Sequence, residues 1–96
     1  MLTSKQRQHL KGLAHSLKPI INVGKKGYSE ALLLEIDAAL LTHELIKMKF
    51  LETAHSGTDD ILARLCQELK ATQVELRGHV VTLYRAHPEK ACIKLK

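Results

Sequence analysis

Residues 20–29 place the strongest constraint on how this chain can fold. The run Ile-Ile-Asn-Val at 20–23 is short and mostly β-branched, which favours a strand. Two glycines at 24 and 27 then enclose two lysines, and Ser29 precedes a long segment in which apolar residues recur at helical spacing. We therefore predict a strand, a tight loop and the first turn of a helix.

The predicted loop consists of Gly24, Lys25, Lys26 and Gly27, and it is the first candidate binding site. Backbone N–H groups of such a loop point outward at the positive end of a helix dipole, where they suit a phosphate group. Glycine has no Cβ and lets a ligand approach the backbone, and the lysines add positive charge. The alternative is an ordinary strand-to-helix turn, since glycine is also common wherever the backbone dihedral φ is positive.

Hydrophobic periodicity assigns the three helices. Thr3 and Gln6 form a capping-box pattern that starts helix 1, predicted over residues 3–15. We expect its buried stripe to consist of Leu10, Leu13, Ala14 and Leu17. Gly12 interrupts this helix, and a close packing contact would explain a glycine there. Ser29 caps helix 2, which runs to about residue 42, and Thr58 caps helix 3.

Alternating polarity predicts three strands after the first one. Ile46, Met48 and Phe50 alternate with lysines at 47 and 49, which indicates a half-buried strand over residues 44–51. Val74 and Leu76 alternate with charged residues in strand 3, and strand 4 covers residues 80–85 after a turn near residue 78.

The order α-β-α-β-α-β-β predicts a two-layer α/β (α+β) fold with a four-stranded sheet. Right-handed crossovers through helices 2 and 3 would make the first three strands parallel, and the final hairpin would make the sheet mixed. A length of 96 residues favours one domain over residues 1–96. We expect the tail at residues 87–96 to be loosely held.

Positive charge is concentrated at the start of the chain. Residues 1–29 contain six Lys or Arg and no acid, whereas residues 30–96 contain the other nine basic residues and all ten acids. A basic segment beside a phosphate-suited loop indicates a polyanionic partner. The alternative is an ordinary solvated surface. The predicted basic patch consists of Arg7, Lys11, Lys18, Lys47 and Lys49.

Several function classes lack support in the sequence. The two cysteines, Cys66 and Cys92, form no CxxC pattern, and the six histidines show no HxH or HxxxH spacing, so we expect no metal site and no cofactor. Neither GxSxG nor a P-loop is present, and no catalytic residue is predicted. No apolar run approaches the ~18 residues of a membrane span, and no secretory signal is recognisable, so we expect a cytoplasmic location.

Four segments resemble a known family. They are the run at residues 2–19, Val-Gly-Lys-Lys-Gly at 23–27, His-Glu-Leu-Ile-Lys at 43–47 and Leu-Tyr-Arg at 83–85. In this order they look like the CRM domain (chloroplast RNA splicing and ribosome maturation) in its bacterial, single-domain, YhbY-like form. Tyr28 departs from the resemblance, because the family more often has an aliphatic residue there.

The resemblance implies a fold similar to the C-terminal domain of translation initiation factor 3. It also implies RNA binding through the GxxG loop, and association with precursors of the large ribosomal subunit. Arg85 matches the Leu-Tyr-Arg ending and becomes a further candidate RNA contact, with a structural role as its alternative. We therefore expect a non-catalytic protein that binds ribosomal RNA and acts in ribosome assembly, with no membrane or small-molecule partner.

Two other functions stay open. The first is a protein-interaction adaptor on ribosomal or other ribonucleoprotein particles, which would use the tail or the off-face leucines Leu34 and Leu41. The second is a small enzyme that acts on phosphorylated metabolites, with the glycine loop as its phosphate site.

Overall fold

The structure, a computed structural model, describes residues 2–24, 28–51, 58–89, 91 and 93. The predicted order of elements is confirmed. The helices are α1 (Ser4–Ala14), α2 (Glu30–His43) and α3 (Thr58–Leu69), and the strands are β1 (Ile21–Val23), β2 (Leu45–Phe50), β3 (Thr72–Arg77) and β4 (Val80–Tyr84).

Side-chain caps begin the first two helices at the predicted positions. The Thr3 hydroxyl accepts the backbone N–H of Gln6 at 3.1 Å, while the Gln6 side-chain oxygen accepts the Thr3 N–H at 3.0 Å. Ser29 accepts the N–H of Leu32 at 3.1 Å. Each cap satisfies N–H groups that have no partner inside their own helix, and it thereby fixes where the helix begins.

The four strands lie in the order β1-β2-β4-β3. Strand β1 pairs with β2 in parallel, and β4 pairs with both β2 and β3 in antiparallel orientation. Strands β1, β2 and β3 therefore run in the same direction, as predicted, and the sheet is mixed. The hairpin turn between β3 and β4 includes Gly78, whose φ of +62° is a left-handed conformation that glycine adopts without a Cβ penalty.

Apolar side chains are buried on both faces of the sheet. Helices α2 and α3 cover one face, where the core includes Ile36, Leu65, Met48 and Leu83. Helix α1 covers part of the opposite face through a smaller cluster of Leu10, Ala14, Leu45, Val74 and Tyr84. Because side chains alternate along a strand, Leu45 and Ile46 serve different clusters.

The predicted buried stripe of helix 1 is correct for Leu10 and Ala14 and wrong for the other two leucines. Leu13 is 42% exposed and Leu17 is 37% exposed. Helix α1 ends at Ala14, so Leu17 does not continue the helical stripe. Both leucines, together with Ile20, line an apolar cavity of about 420 Å³ beside the start of β2. We call it the apolar cavity.

The predicted alternation in β3 is interrupted by a register shift between Gln73 and Glu75. Val74 joins the cluster under α1, whereas Leu76 pairs with Val81, whose side chain lies in the core on the other face. A bulge inserts one residue into a strand and so reverses the face on which later side chains point.

The described part of the tail contacts a buried carboxylate. Glu44 is 3% exposed, and its two carboxylate oxygens accept the backbone N–H groups of His87 at 2.8 Å and Ile93 at 3.0 Å. At these two residues the tail is bound to the domain. Burial, and secondarily the charge of Glu44, raises the pKa of Tyr84.

No helix in the described part of the chain is both long and apolar enough to cross a membrane. Across the same residues, no three His, Cys, Asp or Glu side chains are grouped so that they could hold a metal ion.

Candidate nucleic-acid interface

The predicted loop begins directly after β1. Gly24 is described, whereas Lys25, Lys26 and Gly27 lie outside the described residues. The carbonyl of Val23 accepts the N–H of Leu51 at 3.0 Å, so the parallel pairing of β1 and β2 continues to the edge of the loop. On its other side, Ser29 caps α2. The described flanks therefore agree with the predicted sequence of strand, loop and helix.

Gly24 has no evident structural reason to be glycine. Its φ is outside the left-handed region. A Cβ built on Gly24 would have Leu51 Cδ1 as its nearest described neighbour, at 4.0 Å, which is ordinary van der Waals contact. Neither backbone strain nor packing against the described residues excludes alanine at this position. The described surroundings therefore leave room for a group from outside the chain to approach Gly24.

A row of side chains crosses the α1 face of the sheet beside the loop. Asn22 pairs with Lys49, Lys49 pairs with Val80, and Val80 pairs with Arg77. Directly paired residues point to the same face, so these four side chains form one line. At about 4.8 Å between strands the line is roughly 14 Å long. Asn22, Lys49 and Arg77 are exposed.

A groove separates this row from helix α1. Its volume is about 540 Å³, and we call it the α1–sheet groove. The helix contributes Lys11, Gly12 and His15, and the sheet contributes Lys47, Arg77 and Thr82. Basic side chains thus line both walls of the groove. One carboxylate, that of Glu75, also lines it and lies 3.4 Å from the Arg77 guanidinium.

The structure brings four of the predicted lysines to one side of the domain. Lys11 and Lys47 line the α1–sheet groove, and Lys49 lies in the adjacent row. Lys18 lines the apolar cavity, and Lys47 is shared between that cavity and the groove. The predicted alternation of β2 explains the grouping, because residues 47 and 49 both point toward α1.

Gly12 is a second glycine that the fold does not require. A Cβ built on Gly12 would meet no described atom within 4 Å outside its own stretch of helix, so the predicted close packing contact is absent. Glycine inside a helix costs about 1 kcal/mol of stability relative to alanine. Gly12 lines the α1–sheet groove, so its bare backbone is directed toward the basic surface.

Two predicted contact residues, Arg7 and Arg85, donate to backbone carbonyls within the fold. The Arg7 guanidinium donates to the carbonyls of Gln73 at 2.6 Å and Val74 at 2.8 Å, which attaches α1 to the irregular part of β3. A bulge leaves backbone carbonyls without a regular ladder partner, and a guanidinium can satisfy two of them at once.

Arg85 lies on the other side of the sheet from the lysines. Its guanidinium donates to the Asp37 carboxylate at 2.8 Å, to the Asp37 carbonyl at 3.1 Å and to the Leu69 carbonyl at 3.0 Å. The side chain is 17% exposed. Arg85 therefore joins α2 and α3 to the end of β4, which agrees with the structural alternative weighed for it.

The sequence profile of the CRS1 / YhbY (CRM) domain matches residues 2–85, nearly all of the described fold. The chain belongs to the CRM domain family.

Relatives of this CRM domain occur in distant bacteria. A protein of Haemophilus influenzae named "RNA-binding protein" is 43% identical over 92% of this chain and 89% of its own length. A Bacillus subtilis protein named a probable RNA-binding protein is 34% identical over 99% of both chains. The solution structure of a Staphylococcus aureus protein matches all of both chains with a TM-score of 0.81 and 32% identity.

Two arginines of this CRM domain were missed by sequence reasoning. Arg77 lines the α1–sheet groove. The face of the sheet on which its side chain lies depends on the bulge in β3, and no sequence pattern predicts that bulge. Arg64 on α3 lies over the ring of Tyr28, with its guanidinium carbon 4.0 Å from the ring centroid. This cation–π contact gives the aromatic ring of Tyr28 a partner on α3.

Proposed function

We propose that this CRM domain is a non-catalytic RNA-binding protein that holds the sugar–phosphate backbone at the loop of residues 24–27 and on the adjacent basic surface. The observation that carries the proposal is Gly24, a glycine that neither its backbone conformation nor packing against the described residues requires. It lies two residues after Asn22, which pairs with the exposed Lys49. The names of the Haemophilus and Bacillus relatives support RNA as the ligand.

In the proposed mechanism, backbone N–H groups of residues 24–27 and of the first turn of α2 donate to phosphate oxygens. The N-terminal end of the α2 dipole favours the negative charge. Lys25 and Lys26 would act with Lys11, Lys18, Lys47 and Lys49 as the sources of positive charge. Arg7 and Arg85 are assigned a structural role and left out of this interface, because each guanidinium donates to two backbone carbonyls of the fold.

We further propose that the RNA is ribosomal RNA in precursors of the large subunit, where the protein would act as an assembly factor. Support for this ligand comes from the family resemblance. Aromatic side chains make up 3% of the residues. Few bases can be stacked by so few rings, so we expect recognition through RNA shape and backbone rather than through base sequence.

The deciding experiment compares three variants in a titration with a labelled oligouridylate and in co-sedimentation with ribosomal particles. Gly24→Ala should keep the wild-type melting temperature and weaken RNA binding. The double variant Lys25→Glu, Lys26→Glu should weaken binding more strongly. A matched control, Lys5→Glu with Lys70→Glu, makes the same change in net charge at exposed positions outside the groove. Equal binding by all three variants would contradict the proposal.

The apolar cavity keeps the adaptor function as a second candidate. Leu13 and Leu17 are exposed leucines on its wall, and Leu34 and Leu41 are exposed on α2 at 64% and 43%. An adaptor would lose co-sedimentation with ribosomal particles in Leu17→Asp or Leu34→Asp and keep it in Lys25→Glu, Lys26→Glu. The RNA-binding proposal predicts the opposite pattern.

A further inference from the structure

We propose that the α1–sheet groove is a second contact site for the RNA backbone, and that Gly12 is the point at which the ribose–phosphate chain lies against helix α1. This inference rests on the proposed RNA-binding function. It adds Gly12 and Arg77 of the groove to the loop and the lysines that the proposed function already uses.

Gly12 lies on helix α1 at the wall of the groove. Lys11 and His15 are four residues apart and project on the same side of α1, where Gly12 lies beside them. A helix surface without a Cβ exposes its backbone between these two side chains. Since no described atom of the fold occupies the space that a Cβ would take, an external group can come closer here than at any residue with a side chain.

The wall opposite helix α1 is positively charged. Lys47 and Arg77 face the helix across the groove, and Arg77 is 84% exposed in its side chain despite its contact with Glu75. Cations on both walls favour an anionic chain between them. A volume of about 540 Å³ suits a nucleotide-sized group.

The groove is connected to the loop by the row of side chains across the sheet. The row of Asn22, Lys49, Val80 and Arg77 begins two residues before Gly24 and ends in the groove. Its length of roughly 14 Å corresponds to three inter-strand steps. One RNA strand can therefore contact the loop and the groove without leaving the basic face.

Gly12→Ala tests this inference because stability and affinity should change in opposite directions. The melting temperature should rise by about 4–8 °C, since alanine is the better helix former and has free space here. Affinity for a labelled oligouridylate should fall about 3- to 10-fold, the effect of losing one contact of hydrogen-bond strength. Gly12→Gln, with a longer side chain, should lower affinity further.

The salt dependence of binding separates a steric effect from an electrostatic one. Gly12→Ala removes no cation, so the slope of log affinity against log salt should stay at the wild-type value. Arg77→Gln removes one cation and should make the slope shallower by about 0.7. His9→Ala is the matched helix control, because His9 is exposed on α1 and does not line the groove. It should bind like the wild type.

Wild-type affinity in both Gly12 variants would overturn the inference, and so would a loss of affinity that comes with a lower melting temperature. The proposed function is judged separately by Gly24→Ala and by Lys25→Glu, Lys26→Glu in the same titration. If those variants bind weakly while Gly12→Ala binds normally, the loop interface stands and the groove contact is refuted.

Discussion

Arg85→Ala tests whether this arginine belongs to the fold or to the RNA interface. The substitution removes three donated hydrogen bonds, two to backbone carbonyls and one to the Asp37 carboxylate. It leaves the carbonyls of Leu69 and Asp37 without this partner, and it removes the polar link between the end of β4 and both helices on its face. The structure therefore predicts a loss of stability without a direct loss of RNA contacts.

The magnitude follows from the exposure of each partner. The Asp37 side chain is 43% exposed, so water can replace its ion pair, which we value at about 0.5–1 kcal/mol. Each carbonyl bond contributes about 1–1.5 kcal/mol. We expect Arg85→Ala to lower the free energy of unfolding by about 2.5–4 kcal/mol. For a domain of this size that corresponds to a melting temperature lower by about 10–30 °C.

Urea denaturation followed by circular dichroism measures this loss directly. Two matched variants separate the part of this loss that comes from the ion pair from the part that comes from the guanidinium geometry. Asp37→Asn removes the charge and keeps an acceptor oxygen, so it should cost at most about 1 kcal/mol. Arg85→Lys keeps the charge, but a single ammonium group cannot reproduce the planar fork, so it should cost about half as much as alanine.

RNA titration of Arg85→Ala at low temperature, where the variant is folded, completes the test. We expect affinity for the oligouridylate within about twofold of the wild type. If Arg85→Ala has the wild-type urea midpoint and binds RNA poorly, the reasoning is refuted and Arg85 is a residue of the RNA interface.

Three further predictions concern charge, pH and the hairpin. With about six phosphate contacts, one for each lysine of the proposed interface, log affinity for single-stranded RNA should fall with log salt at a slope of about −4, and a flat response in filter binding would contradict the interface. Because the folded state raises the pKa of Tyr84 above its usual value of 10.0, the contribution of Tyr84 to stability should be constant below about pH 10 and fall as the pH rises beyond it. Urea midpoints at rising pH should show this fall in the wild type and a smaller one in Tyr84→Phe. Gly78→Ala should cost about 1 kcal/mol from left-handed strain alone, since no described atom crowds its Cβ, and Gly78→Asn should cost less. Equal stability of Gly78→Ala and the wild type would be inconsistent with the turn geometry.

The sequence by itself determined the elements, because their signals are local. The capping box of Thr3 and Gln6 places the start of α1, and the alternation of Ile46, Met48 and Phe50 places β2 and puts its lysines on one face. The family was also readable from short segments in order, and the profile match over residues 2–85 confirmed it.

The tertiary structure decided which charged residues face outward together. Arg7 and Arg85 look like surface charge in the sequence, but each donates to carbonyls far away along the chain. Arg77 reaches the α1–sheet groove through a bulge that shifts the register of β3.

The tertiary structure also decided how Gly12 and Gly24 are interpreted. Whether a glycine is required by strain, by packing or by an external ligand depends on the atoms around its missing Cβ. Those atoms come from other elements, far away along the chain, so no local pattern can report them. Only the folded arrangement shows that no described atom crowds the Cβ position of either glycine.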